Sequence, residues 1–235
     1  MRLEDDTFVR PSNMYPASPS TAIREPMKLY GTSSQGNPRR VAIFLHEKGI
    51  EIPWVPVDLY AGEHRDSDFL AKNPVGLVPV LELEDGTCLS ETMSICRYLE
   101  ELHPEPSILG RDPLDRALRD MWQRRVEFGF YLAIRAYFRQ SFPAARVLEP
   151  VQVPEWGELN RGYAEDALRQ LDPQLAENEF IAGSDFSAAD ITLIMSLQGT
   201  ASTGFRIPGD CSNLERWYAT VSERPSVLAT GTEES

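Results

Sequence analysis

No stretch of this chain approaches the ~20 consecutive apolar residues that a membrane-spanning helix requires. Positive charge is scarce: 23 Lys and Arg stand against 36 Asp and Glu, a net charge of −13. The first absence argues against a membrane span. The second argues against nucleic acid or an anionic membrane as partner, because both need a basic face. It leaves room for a local basic pocket that takes a small anion. Cysteine is scarce too. Cys88, Cys96 and Cys211 are an odd number without C-x-x-C spacing, which fits neither a disulfide framework nor a zinc site. No metal is expected, the three thiols read as packing residues, and a reducing, cytoplasmic setting is the simplest one. The opening residues Met1-Arg2-Leu3-Glu4-Asp5-Asp6 lack the basic start and apolar stretch of a signal peptide.

The punctuation of the remaining sequence is informative. Residues 1–26 hold four prolines among serines and acids and read as a flexible tail, with Met27 as an alternative start. Leu29-Tyr30 reads as a first strand. Asn37 then reads as a helix N-cap with Pro38 at the first helical position, and Gly49 as the glycine that ends that helix. Trp54–Leu59 reads as a second strand, Phe69-Leu70 as a short helical turn and Val80–Leu83 as a third strand. Asp85-Gly86 is a hairpin signal into a fourth strand at Cys88-Leu89, and a helix follows from about Thr92 to Leu102. The order is βαβ, then ββα, over 27–102: a small mixed sheet flanked by helices. Residues 103–113 carry three prolines and read as a linker. Residues 114–235 read as all-helical, with long helices over Leu114–Gln140 and Gly157–Glu177 and a last one over Leu214–Ser222, ahead of Pro225. Ser187-Ala188-Ala189-Asp190 forms a capping box with Asp in place of the usual Glu, and Phe186 and Ile191 are placed as a hydrophobic staple. Its role is folding.

The most informative segment is Asn73-Pro74-Val75-Gly76-Leu77-Val78-Pro79-Val80-Leu81, followed by Asp85-Gly86 and Leu89-Ser90-Glu91-Thr92. Pro79 cannot donate to a sheet ladder, so it marks a strand start or a bend. Trans is the default for its peptide bond, whereas a cis bond would turn the Val78 amide and carbonyl outward, free to pair with an extended peptide. Thr92 suits a helix start, where its hydroxyl and amide can either cap the helix or receive an anion.

This loop, proline, hairpin and Glu-Thr pair resembles the glutathione-binding half of the cytosolic glutathione S-transferase family, and the likeness runs from near Lys28 almost to Pro225. It implies the glutathione S-transferase fold: an α/β thioredoxin-like N-terminal domain followed by an all-α C-terminal helical domain. It implies glutathione as co-substrate, a small hydrophobic electrophile as second substrate, and a homodimer. Val78, before Pro79, corresponds to the main-chain partner of glutathione. Glu91 and Thr92 match the pair that receives the γ-glutamyl group, Glu91 suiting the ammonium and Thr92 the carboxylate. Gly62-Glu63-His64 matches a stretch of the theta-like, fungal and bacterial branch whose histidine reaches the glycine carboxylate. A surface histidine is the alternative for His64, and a solvated lysine for Lys72.

Two departures stand out. Leu77 occupies a place where related sequences often carry Lys or Gln. The hydroxyl or thiol that activates glutathione is expected about four or five residues before Arg40, and Gly36 and Gln35 stand there. Thr32, Ser33 and Ser34 lie just upstream. Ser34 is the first candidate for the activating group and Ser33 the second, beside a helix amino end that lowers thiol pKa by its aligned amides. No cysteine occupies the loop, which disfavours a glutaredoxin-like exchange. Phe128, Tyr131, Tyr137 and Phe138 are candidate walls of an electrophile site between the domains, although aromatics at helical spacing are usually core. Arg124, Arg125 and Arg135 lie on the same helix and could hold an acidic substrate. A non-catalytic assembly module and a glutathione-dependent isomerase, peroxidase or ether-cleaving enzyme are the competing readings.

Overall fold

Alternation along two short strands sets the sheet. Leu29 in β1 (Lys28–Tyr30) pairs with Leu81 in β3 (Val80–Glu82), and both are fully buried on one face. Tyr30 and Val80 turn to the other face, where they meet Phe69 and Val57. The computed structural model describes residues 26–231, so the tail expected over 1–26 lies outside the described residues except for Pro26. The sheet has the order β2-β1-β3-β4. Here β2 is Trp54–Val55, parallel to β1, and β4 is Cys88–Ser90, antiparallel to β3. The second strand is shorter than the sequence suggested. Gly31 donates to the Val55 carbonyl at 2.9 Å, and Pro56, without an N–H, ends the run. The Asp85-Gly86 turn is present, with Gly86 at φ 84 and Leu83 donating to the Thr87 carbonyl.

Three helices frame the sheet: α1 (Gly36–Lys48), α2 (Ser67–Lys72) and α3 (Thr92–Leu102). Helix α1 begins one residue before the expected cap. Gln35 takes the cap position without a side-chain hydrogen bond, and the chain enters through Gly36 at φ 50. Asn37, expected as the cap, instead accepts a hydrogen bond from the Arg40 guanidinium. Gly49 ends α1 at φ 63, with Ile50 donating to the Leu45 carbonyl and Gly49 to that of His46, the double closure that a left-handed glycine permits.

The helical half runs α4 (Pro113–Arg124), a π-helical stretch (Arg125–Tyr131), α5 (Leu132–Ser141), α6 (Pro154–Glu177), α7 (Ala188–Gly199), α8 (Ser212–Ser222) and α9 (Pro225–Ala229). The long helix expected over Leu114–Gln140 is thus continuous but widened in its middle. Pro225 does not terminate the helical region. It opens α9 from the first helical position, where a missing N–H costs nothing. Helix α7 is buried on every side over Ala188–Leu197, and its capping box is formed. Asp190 accepts from the Ser187 amide and hydroxyl, the Ile181 amide and the Trp217 indole. Burial pushes the Asp190 carboxyl up, and those four donors oppose the push.

A single apolar core runs from Leu29 through Phe44 and Leu99 to Phe130, Ile194 and Val227, so the sheet half and the helical half share one interior. Polar ties reinforce it. Arg39 on α1 donates to Gln198 at the end of α7 and to the Val227 carbonyl. The Lys48 ammonium pairs with Glu100 at 2.6 Å and donates to the carbonyls of His103 and Pro106, fixing the proline-rich connection against α1.

Candidate active site

The amino end of α3 is left open. Ile95 is the first residue of α3 whose amide reaches back to Glu91, at 3.0 Å. The amides of Thr92, Met93 and Ser94 therefore have no partner within the helix, and no side chain caps them. Glu91 holds the cap position at φ 69 and ψ 118, and among the described residues it alone, apart from glycines, has a positive φ. Such a backbone persists where surrounding structure imposes it, and such sites are often functional. Glu91 and Thr92 both line a cleft of about 380 Å³ between the sheet half and the long helix.

On the sheet side, Asn37, Arg40, Leu77 and Met93 complete this cleft; on the helix side stand Gln123, Glu127, Phe128, Tyr131 and Arg135, among others. The Arg40 guanidinium is almost fully buried. It pairs with Glu127 at 3.1 Å, donates to Asn37 and lies 5.5 Å from the centre of the Tyr131 ring. Its Nε and Nη2 atoms have no partner among the described residues. The pair holds the start of α1 against the π-helical stretch, where widened turns are frequent at functional sites.

The loop before Pro79 is held from within. Asn73 is buried and donates to the Leu77 carbonyl at 2.8 Å, while its side-chain oxygen accepts from Val75. Gly76 takes φ 65, and a Cβ there would stand 3.0 Å from the His64 carbonyl. This close approach keeps the His64 turn against the loop. The Val78–Pro79 peptide is cis, and the Val78 amide and carbonyl make no backbone hydrogen bond among the described residues. Gly31 lies against Pro38 and Val78, with a Cβ position 2.8 Å and 3.4 Å from their side chains. Ser33 and Ser34 are half-buried in the loop between Gly31 and the start of α1.

The expected site residues divide accordingly. Glu91, Thr92, Phe128 and Tyr131 line the cleft. Val78, Pro79, Ser33 and Ser34 are not among its lining residues, although Leu77, next to Val78 in the chain, is. His64 is buried in a 3₁₀ turn, Glu63–Arg65, behind the loop, and its Nδ1 has no partner among the described residues. Burial, and the nearby Arg65 charge, lower its pKa, so the imidazole is neutral at neutral pH and offers one N–H. Tyr137 is elsewhere. It is buried in the core with its ring edge-on to Phe142 at 5.3 Å, as helical spacing of aromatics favours. Lys72 is partly exposed but not free: it pairs with Glu82 at 2.9 Å and faces the Tyr30 ring. Sequence reasoning used Arg40 only as a landmark and missed Glu127. An acid between Val126 and Phe128, inside an aromatic cluster, was the available signal. Cys96, buried under Arg40, has its thiol pushed up to about 12 by desolvation and is unreactive. Among the described residues no cluster could hold a metal ion, and no helix is long and apolar enough to cross a membrane.

Known proteins share both the sequence pattern and this architecture. Residues 37–102 match the glutathione S-transferase N-terminal domain, and residues 159–225 match the glutathione S-transferase C-terminal domain. Glutathione S-transferase 2 of Saccharomyces cerevisiae is 36% identical over 208 residues, covering 87% of this chain and 89% of the yeast protein. A glutathione S-transferase domain-containing protein of Marinobacter aquaeolei superposes with a TM-score of 0.81 at 42% identity, over 85% of this chain and 99% of that one. Gtt2 of Saccharomyces cerevisiae superposes with a TM-score of 0.82 at 35% identity, over 86% and 99%. With both halves matched and the architecture shared over most of the chain, this chain belongs to the glutathione S-transferase family.

Proposed function

We propose that this protein is a glutathione transferase that binds glutathione against the sheet half and adds its sulfur to a small hydrophobic electrophile in the cleft. The observation that carries the reading is the uncapped start of α3 at Glu91-Thr92, opening onto the cleft. A helix amino end with unpaired amides receives a carboxylate. In this reading the γ-glutamyl carboxylate meets the Thr92 hydroxyl and amide, and the ammonium meets Glu91. The unpaired Val78 amide and carbonyl take the cysteinyl backbone as an added strand would. His64 supplies a neutral N–H to the glycine carboxylate.

The thiol then lies near the start of α1. An unperturbed thiol loses its proton near ~8.5; the aligned amides of α1 and a hydroxyl donor lower that value. Ser34 is the first choice for the donor and Ser33 the second. Phe128 and Tyr131 form the electrophile wall. The sulfur bonds to the electrophilic carbon as the leaving group departs with its bonding pair, and the thiol proton passes to solvent. Proximity and thiolate stabilisation supply the rate gain. A homodimer in the cytoplasm completes the proposal.

Calorimetric titration with glutathione, alongside conjugation assays of wild type and Ser34→Ala, tests it. Ser34→Ala is expected to lower turnover by at least about tenfold, with glutathione still bound. An unchanged rate removes Ser34 from the mechanism and moves the test to Ser33→Ala. Absence of glutathione binding by the wild type would contradict the enzyme reading and favour a binding or assembly module.

A further inference from the structure

The cleft contains six ionisable side chains: Arg40, Glu91, Asp120, Arg124, Glu127 and Arg135. Four are matched within the protein. Arg40 pairs with Glu127 at 3.1 Å, and Arg124 pairs with Asp120 at 3.1 Å. Glu91 stands at the mouth of α3, on the side assigned above to the glutathione ammonium. Arg135 is left over. It is half-buried, and among the described residues it makes no hydrogen bond or ion pair. One turn further on stands a like charge, Arg139, itself paired with Glu149 at 3.8 Å. A guanidinium stays charged at any working pH, so this cation faces the cleft without a counter-ion. Arg124 and Arg125 on the same helix are spoken for: Arg124 by Asp120, and Arg125 by the Trp122 ring, 4.4 Å away and outside the cleft lining.

The surroundings of Arg135 have a definite chemistry. Leu132 and Phe128 present exposed apolar side chains one and two turns before it on the same helix, and Tyr131 flanks them. Arg135 lies eight residues beyond Glu127, roughly 12 Å along the axis, so it is at the opposite end of this wall from the Arg40 pair. An apolar and aromatic wall ending in an unpaired guanidinium fits a flat, unsaturated body with a terminal carboxylate.

We infer that Arg135 is the anion-binding residue of the electrophile subsite, and that the preferred electrophiles are small aromatic or unsaturated compounds bearing a carboxylate. This rests on the glutathione reading above. It also answers a problem of charge. Bound glutathione as thiolate carries about −2 and repels an anionic co-substrate, and the Arg135 charge offsets that repulsion where the second anion sits.

The test uses a matched pair, 4-chloro-3-nitrobenzoate and 4-chloro-3-nitrobenzamide. With either, the glutathione sulfur bonds to the ring carbon, the carbon–chlorine bond breaks and chloride leaves with the bonding pair. Each kcat/KM is divided by the uncatalysed rate with glutathione, which removes the difference in ring activation. The corrected value for the carboxylate is expected to exceed that for the amide by at least about fivefold in the wild type. In Arg135→Met the ratio falls to about one through a higher carboxylate KM, Arg135→Lys restores part of it, and Arg125→Met keeps the wild-type ratio. Calorimetric binding of the two glutathione conjugates gives the same comparison without turnover. A wild-type ratio at or below one, or a ratio untouched in Arg135→Met, overturns the inference while amide conjugation keeps the transferase reading standing. If glutathione itself does not bind, both fall together.

Discussion

At the scale of single residues, Glu91 is where backbone and chemistry conflict. Its φ of 69 and ψ of 118 are costly for a side chain with a Cβ, by about 1–3 kcal/mol, and glycine would adopt them freely. Glu91→Gly is therefore expected to leave stability unchanged or raise it by about 1 kcal/mol, while raising the glutathione KM at least about fivefold through loss of the ammonium partner. Urea unfolding and initial-rate kinetics on the same preparation check both halves. A variant destabilised by more than about 1 kcal/mol, with its KM unmoved, would show that Glu91 serves the fold alone. The pairing of Glu91 with Thr92 was legible in the sequence because the loop before Pro79 announces it. The backbone conformation of Glu91 was not, since nothing in a glutamate signals positive φ. Arg40 and Glu127 were hidden for a different reason: each looks like a solvated charge on an amphipathic helix, and only the meeting of residues 87 positions apart makes them a pair.

At the scale of elements, short-range signals were read correctly where one residue type decides the geometry. Gly49, Asp85-Gly86 and the Ser187–Asp190 box each have a local physical cause, and each lies where that cause puts it. Boundaries decided by tertiary pairing were less legible. Strand β2 stops at Val55 because Pro56 has no N–H to give and because its partner β1 is only three residues long; only the second limit lies outside the second strand's own sequence. The widening of the long helix at Arg125–Tyr131 has no sequence signature in a run without proline. The capping box yields a quantitative expectation. Asp190 is fully buried, and Asp190→Ala strands the Ile181 and Ser187 amides and the Trp217 indole N–H in the interior. The cost is expected near 4 kcal/mol, from several unsatisfied donors of about 1–3 kcal/mol each that relax in part. A denaturation midpoint equivalent to a loss under about 1 kcal/mol would contradict the assignment of this box as the anchor of α7.

At the scale of the whole molecule, the two halves share one core and are tied by Arg39 and by the Arg224–Glu47 pair. The cleft lies between these two joined halves, where the proposed chemistry needs positioned groups. The chain carries a net charge of −13, and glutathione is itself an anion. In the proposed function, recognition therefore falls to local groups: the open amino ends of α1 and α3, His64 and, for the second substrate, Arg135. The central claim is that these groups bind glutathione and hold its sulfur as thiolate. The most direct measurement is the ultraviolet thiolate absorbance of glutathione with excess purified protein, titrated across pH beside a parallel binding curve. The account predicts a thiolate signal that rises with an apparent pKa at least about one unit below the ~8.5 of a free thiol. Bound glutathione that ionises only at the free-thiol value would contradict thiolate activation. A sample in which glutathione does not bind at all would contradict the site itself.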